Sequence, residues 1–202
     1  MRPAATGRHP TARAAPVDRA LRAWLQSDGS LSRRLAQAFG RFEVQVLKQG
    51  AAPARADELR ALRRAGRPCA RVLRCHVREV LLWGDGQALV HARTVLPAVQ
   101  SVLTWRALRG LGSRPLADLL FGLRAACCTR LGSGRMAPLR ARRLGERLKW
   151  SGTPLWYRRS VFIRRGVPLL ITEWFAPAVR SRAPGGHAVP AAVCGRPGNA
   201  SR

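Results

Sequence analysis

Apolar positions recur at helical spacing at the start of the chain and then switch to alternation. Asp18 is placed to cap a short helix whose apolar positions are Leu21, Trp24 and Leu25, with Asp28-Gly29 as its stop. Ser30 or Ser32 caps a second helix, LSRRLAQAF, closed by Gly40. Phe42, Val44 and Val46 then alternate with Glu43, Gln45 and Leu47, the period of a strand, and residues 58–65 favour a further helical turn or two. From residue 71 the pattern is strongly β. RVLRCHVREVLLW, a Gly84-Asp85-Gly86 turn and QALVHARTVLP read as a long antiparallel hairpin. Residues 99–110 suit a helix with Val102, Leu103, Trp105 and Leu108 as its apolar positions, and Pro115 opens another short one, PLADLLFG. The stretch 122–145 is rich in Gly and Arg and reads as an irregular surface excursion, with RLKW after it as the possible start of a strand. WYRRSVFIR, Arg165-Gly166 and VPLLITEWFAP make a second hairpin. The order predicts an α+β fold: one antiparallel sheet of about six strands with flanking helices.

Length and composition add boundaries to this outline. The 202 residues are 47% hydrophobic, enough for one domain with a real core. Residues 1–17 and 179–202 lack periodicity and are expected to be basic, flexible tails around a folded unit at 18–178. No apolar run reaches the roughly 18–20 residues that span a bilayer, and the N-terminus has no apolar signal core. Cysteines 69, 75, 127, 128 and 194 form no CxxC pair, and the four histidines are scattered. A reduced, cytoplasmic protein without a metal site is therefore expected.

The charge is extreme: 37 basic residues against 10 acidic ones, for a net +27. Only Lys48 and Lys149 are lysines. Such a field draws anions, whether nucleic acid, anionic lipid or small acids. The arginines run from Arg2 to Arg202 without a compact block, which argues against a specific nucleic-acid partner.

Against so few acids, a carboxylate inside an apolar strand stands out, and there are two: Glu79 in HVREVLL and Glu173 in PLLITEW. A buried carboxylate must be paired or hydrogen-bonded. If Val77 and Glu79 share a sheet face, Arg78 lies with His76 and Val80 on the other. Two roles are open for these residues: an internal Arg–Glu ion pair, or an Arg for a substrate carboxylate and a Glu for a hydroxyl or proton transfer.

The runs VREVLLWGDGQALVHARTVLP, LGSRPLADLLF and LWYRRSVFIRRGVPLLITEWFAPA, in this order, resemble the chorismate pyruvate-lyase family over about residues 20–178. The resemblance implies an internal ligand site covered by helices. It also implies a carbon–oxygen lyase that converts chorismate to 4-hydroxybenzoate and pyruvate without a cofactor, the first step of ubiquinone synthesis. It carries over four positions: Arg78 for the ring carboxylate, Glu173 for the ring hydroxyl, Leu116 for a main-chain approach to the ligand, and Leu31 in a covering flap where the family often has Met. Arg93 matches a family arginine that could contact ligand or steady the hairpin. Ala117 stands where the family usually has Gly, and Trp156-Tyr157 replaces the commoner Trp-Gly. The family is usually monomeric, and the basic surface could rest on anionic membrane lipid. The rival readings are a non-catalytic effector-binding module of the same fold and, on charge alone, a nucleic-acid-binding protein.

Overall fold

A computed structural model of the protein describes residues 17–65, 74–122, 126–150 and 155–184. Six strands form one sheet in the order β1-β2-β3-β6-β5-β4, every neighbouring pair antiparallel. They are β1 (Phe42–Ala52), β2 (Cys75–Gly84), β3 (Gln87–Pro97), β4 (Ala126–Arg135), β5 (Trp156–Arg164) and β6 (Val167–Phe175). Both expected hairpins, β2–β3 and β5–β6, form; residues 71–73 of the first lie outside the described residues. Their turns, Asp85-Gly86 and Arg165-Gly166, have φ values of 48°, 74° and 50°, 76°. Two successive positive φ angles match the right-handed twist of the strands, which is why glycine follows at the second position of each turn.

Helix α1 (Arg19–Gln26) starts where Asp18 Oδ1 accepts from the Leu21 amide at 2.7 Å. Helix α2 (Leu31–Phe39) starts where Ser30 Oγ accepts from the Arg33 amide at 3.1 Å, and ends at Gly40. Their apolar residues, with Phe39 at the end of α2, pack on Val80, Leu82, Val90 and Phe175 at one end of one sheet face. Gly84 belongs to this contact. A Cβ there would meet Leu89 Cδ1 and Phe39 Cβ at 2.6 Å each. Gly84→Ala is expected to lower stability by about 1–3 kcal/mol through overpacking, read as a lower urea midpoint at unchanged slope; an unchanged midpoint would mean that α2 gives way freely.

The other end of the same face is covered by residues 98–122. Here the expected helix at 99–110 is not present. Two 3-10 turns, Ala98–Ser101 and Arg106–Leu108, occupy the stretch. The buried residues Trp105, Leu108 and Leu111 recur every three positions, the 3-10 period, whereas Val102 and Leu103 are exposed. Helix α4 (Leu116–Gly122) follows Pro115 as expected. Together these residues bury Leu96, Phe162, Leu169 and Ile171.

The opposite face is covered by α3 (Ala56–Ala65) and α5 (Pro138–Leu148). The irregular excursion expected at 122–145 is instead the edge strand β4 followed by α5. Arg147-Leu148 ends that helix rather than beginning a strand, with Lys149 left-handed behind it. Packing also runs past residue 178. Pro177–Ser181 forms a 3-10 turn, Val179 is buried against α1 and α2, and Trp24 Nε1 donates to the Arg182 carbonyl at 2.8 Å. Residues 1–16 and 185–202, read as tails, lie outside the described residues.

Candidate active site

Between the two apolar clusters on the face covered by α1, α2 and residues 98–122 runs a polar strip. Strand register builds it in two rows. One row is Arg78, Thr94, Ile171 and Ser160, from β2, β3, β6 and β5. The adjacent row is Val80, Ala92, Glu173 and Arg158 from the same strands. Arg78 and Glu173 therefore share a face, two inter-strand spacings (about 10 Å) apart across the sheet and one row apart along the strands, over a floor of short or apolar side chains.

Arg78 is 1% exposed. Its Nη2 donates to the carbonyls of Gly112 at 2.7 Å and Arg114 at 3.2 Å, which fixes the guanidinium against the loop ahead of α4. Gln49, beside it on β1, holds the same loop through the Leu108 and Arg109 carbonyls. The Nε of Arg78 is buried and has no partner, and no carboxylate among the described residues pairs with this cation. Burial pushes the guanidinium below the usual arginine range. A buried charge without a counter-charge is costly. An anionic group seated at Nε would relieve that cost, and a planar guanidinium suits a carboxylate.

Glu173 sits at the other end of the strip. Arg158, its cross-strand partner on β5, donates Nε to Glu173 Oε2 at 2.5 Å. No hydrogen bond among the described residues uses Oε1. Leu31 begins α2 and is buried in the helix–sheet core, while Leu116, half-buried, begins α4 close to the loop that Arg78 holds.

Arg93 belongs elsewhere. It lies on the opposite face, where Nε donates to Glu58 Oε1 at 2.9 Å and Nη1 to Glu79 Oε1 at 2.5 Å. Burial opposes its charge, but the Glu58 and Glu79 carboxylates outweigh this and raise its pKa. Hydrogen bonds from His91 and Arg93 hold the Glu79 carboxyl at about 2, against the effect of burial. Of the two roles open to an Arg–Glu pair, the ion pair is made by Arg93 with Glu58 and Glu79 and by Arg158 with Glu173; among the described residues no carboxylate pairs with Arg78. Sequence reasoning passed over Arg158 and, on β4, Arg130. The only signal for Arg158 was its place in RRS, and the β5–β6 register was needed to bring it to Glu173.

A family model described as Chorismate lyase matches residues 9–184. A protein of Albidiferax ferrireducens named a probable chorismate pyruvate-lyase is 41% identical over 161 residues, 76% of this chain and 79% of that one. Proteins with the same name from an Azoarcus species and from Methylococcus capsulatus are 39% and 41% identical, over 81% and 80% of this chain and 87% and 97% of their own lengths. Among solved structures, PhnF from Mycobacterium smegmatis aligns with a TM-score of 0.52 at 15% identity, over 83% of this chain and 70% of that one. The C-terminal domain of the histidine utilization repressor from Pseudomonas syringae pv. tomato aligns at 0.50 and 12% identity, over 74% of this chain and 100% of that one. At such identities the likeness to these two structures is one of fold alone.

Proposed function

This chain belongs to the chorismate lyase family, and on that premise we propose that it converts chorismate to 4-hydroxybenzoate and pyruvate. The observation that carries the reading is Arg78, a buried guanidinium with a free Nε and no acidic partner among the described residues. It suits the ring carboxylate. Glu173, whose Oε1 takes no hydrogen bond among the described residues, suits the hydroxyl at the far end of the ring.

The chemistry asks little of the protein beyond this. Breaking the carbon–oxygen bond to the enolpyruvyl group and removing the hydrogen from the hydroxyl-bearing ring carbon makes the ring aromatic; the enolpyruvyl fragment gains a proton and leaves as pyruvate. The protein's contribution is to hold the dianion in the eliminating geometry under its helical cover and away from bulk water. Glu173 holds the hydroxyl and assists proton movement beside it. Glu173→Gln is expected to lower kcat by about a hundredfold or more, measured as chorismate consumption. Full turnover would remove Glu173 from the chemistry.

A site assembled within one chain supports a monomeric enzyme, and the reduced thiol of Cys128 supports a reducing compartment, the cytoplasm. Among the described residues no helix is long and apolar enough to cross a membrane. The net charge of +27 supports peripheral contact with anionic lipid.

A further inference from the structure

Chorismate is a dianion, and Arg78 takes only one of its carboxylates. The other belongs to the enolpyruvyl group, whose ether oxygen is on the ring carbon next to the hydroxyl-bearing one. With Arg78 at the ring carboxylate and Glu173 at the hydroxyl, this second carboxylate falls beside Glu173.

Two guanidinium groups stand there. Arg158 is 4% exposed. Its Nε is on Glu173, and its Nη1 donates to the Ser27 carbonyl at 2.8 Å, Ser27 Oγ at 3.0 Å and the Trp24 carbonyl at 3.2 Å. No partner among the described residues takes its Nη2. Arg130 on β4 pairs in register with Ser160, two residues from Arg158 on the neighbouring strand. Its Nη1 donates to the Leu25 carbonyl, and its Nη2 to the Ser27 carbonyl at 2.7 Å and Asp28 Oδ1 at 3.1 Å. Burial and the nearby charge of Arg158 both push the Arg130 guanidinium below the usual arginine range. Arg158 thus pairs with the partly buried Glu173, and Arg130 with a second acid, Asp28. The Asp28 side chain is 61% exposed, so water screens most of its attraction.

We propose that Arg158 and Arg130 form a second carboxylate subsite, which takes the enolpyruvyl carboxylate of the substrate. This rests on the lyase reading and adds to it the residues that distinguish substrate from product. Arg158 keeps a second duty as a positioning residue for Glu173. As the carbon–oxygen bond breaks, negative charge moves onto the departing enolpyruvate fragment, and guanidinium groups beside it oppose that charge where it develops. Both arginines also hold the carbonyls at the end of α1, so the same contact ties the bound carboxylate to the cover.

The test compares two ligands. 4-Hydroxybenzoate lacks the enolpyruvyl group, so a subsite for that group is felt by chorismate alone. Arg130→Gln is expected to lower kcat/KM for chorismate about tenfold or more while changing the calorimetric Kd for 4-hydroxybenzoate less than about twofold. Asp28→Asn removes the ion pair of Arg130 but not its charge, and it should retain kcat/KM within about twofold. Equal weakening of both ligands in Arg130→Gln, or the same loss in Asp28→Asn, would mean that Arg130 acts only through the cover and would overturn the subsite. Wild-type protein that makes no product from chorismate would overturn the lyase reading, and the subsite with it.

Discussion

Arg78→Met is expected to lower kcat/KM for chorismate by about 10²- to 10³-fold, the cost of removing one partner of a buried, hydrogen-bonded charge pair. The same change should leave the thermal midpoint unchanged or raise it. The reason is that Arg78 brings a buried charge without bringing its counter-charge: among the described residues its partners are two carbonyls, and its Nε has none. Replacing such a cation with an apolar side chain of similar length removes a desolvation cost that its two carbonyl hydrogen bonds offset only in part. On the proposed reading, a bound carboxylate would offset that desolvation cost. Calorimetry of 4-hydroxybenzoate binding should fall with activity. A variant that loses activity only because it melts earlier would assign Arg78 to the scaffold.

Arg93→Met should do the reverse. On the opposite face, this arginine stands between Glu58, which is fully buried, and Glu79, nearly so. Its removal strands two carboxylates, and breaking a buried pair in this way costs about 3–5 kcal/mol. For a chain of this size that is a fall in thermal midpoint on the order of 10 °C. Activity per folded molecule should persist at low temperature, because Arg93 does not reach the strip that holds Arg78 and Glu173. The pH dependence has a definite sign. The carboxyl of Glu79 is depressed to about 2, so its contribution is present above the ordinary carboxylate range and is lost as pH falls toward 2. Wild-type stability with lost activity would instead put Arg93 in the site.

These opposite outcomes come from neighbouring strands of a single sheet, and only part of the difference was legible in the sequence. Alternation through HVREVLL separated Arg78 from Glu79 correctly, since side chains on a strand change face at every residue. Which arginine each glutamate meets depends on register between strands, and that is a tertiary property. Glu79 opposes Arg93 across its own hairpin and Glu173 opposes Arg158 across the other. The first two helices were legible because Asp18 and Ser30 cap them and their apolar positions are evenly spaced. β4 was not. It is an edge strand interrupted by Gly132 and Gly134, with its register broken between Arg130 and Gly132, so it shows no alternation. α5 was hidden because it buries only Ala141, Leu144 and Gly145 beneath an arginine-rich surface. Arg130, on that unread strand, was lost with it.

The most direct test of the central claim is to give purified protein chorismate in the presence of a chelator and to follow both products together. The account predicts 4-hydroxybenzoate and pyruvate in equal amounts, and their loss in Arg78→Met at unchanged stability. Chorismate left untouched by a folded protein that still binds 4-hydroxybenzoate saturably would contradict it, and would make this chain a binding module built on the same fold.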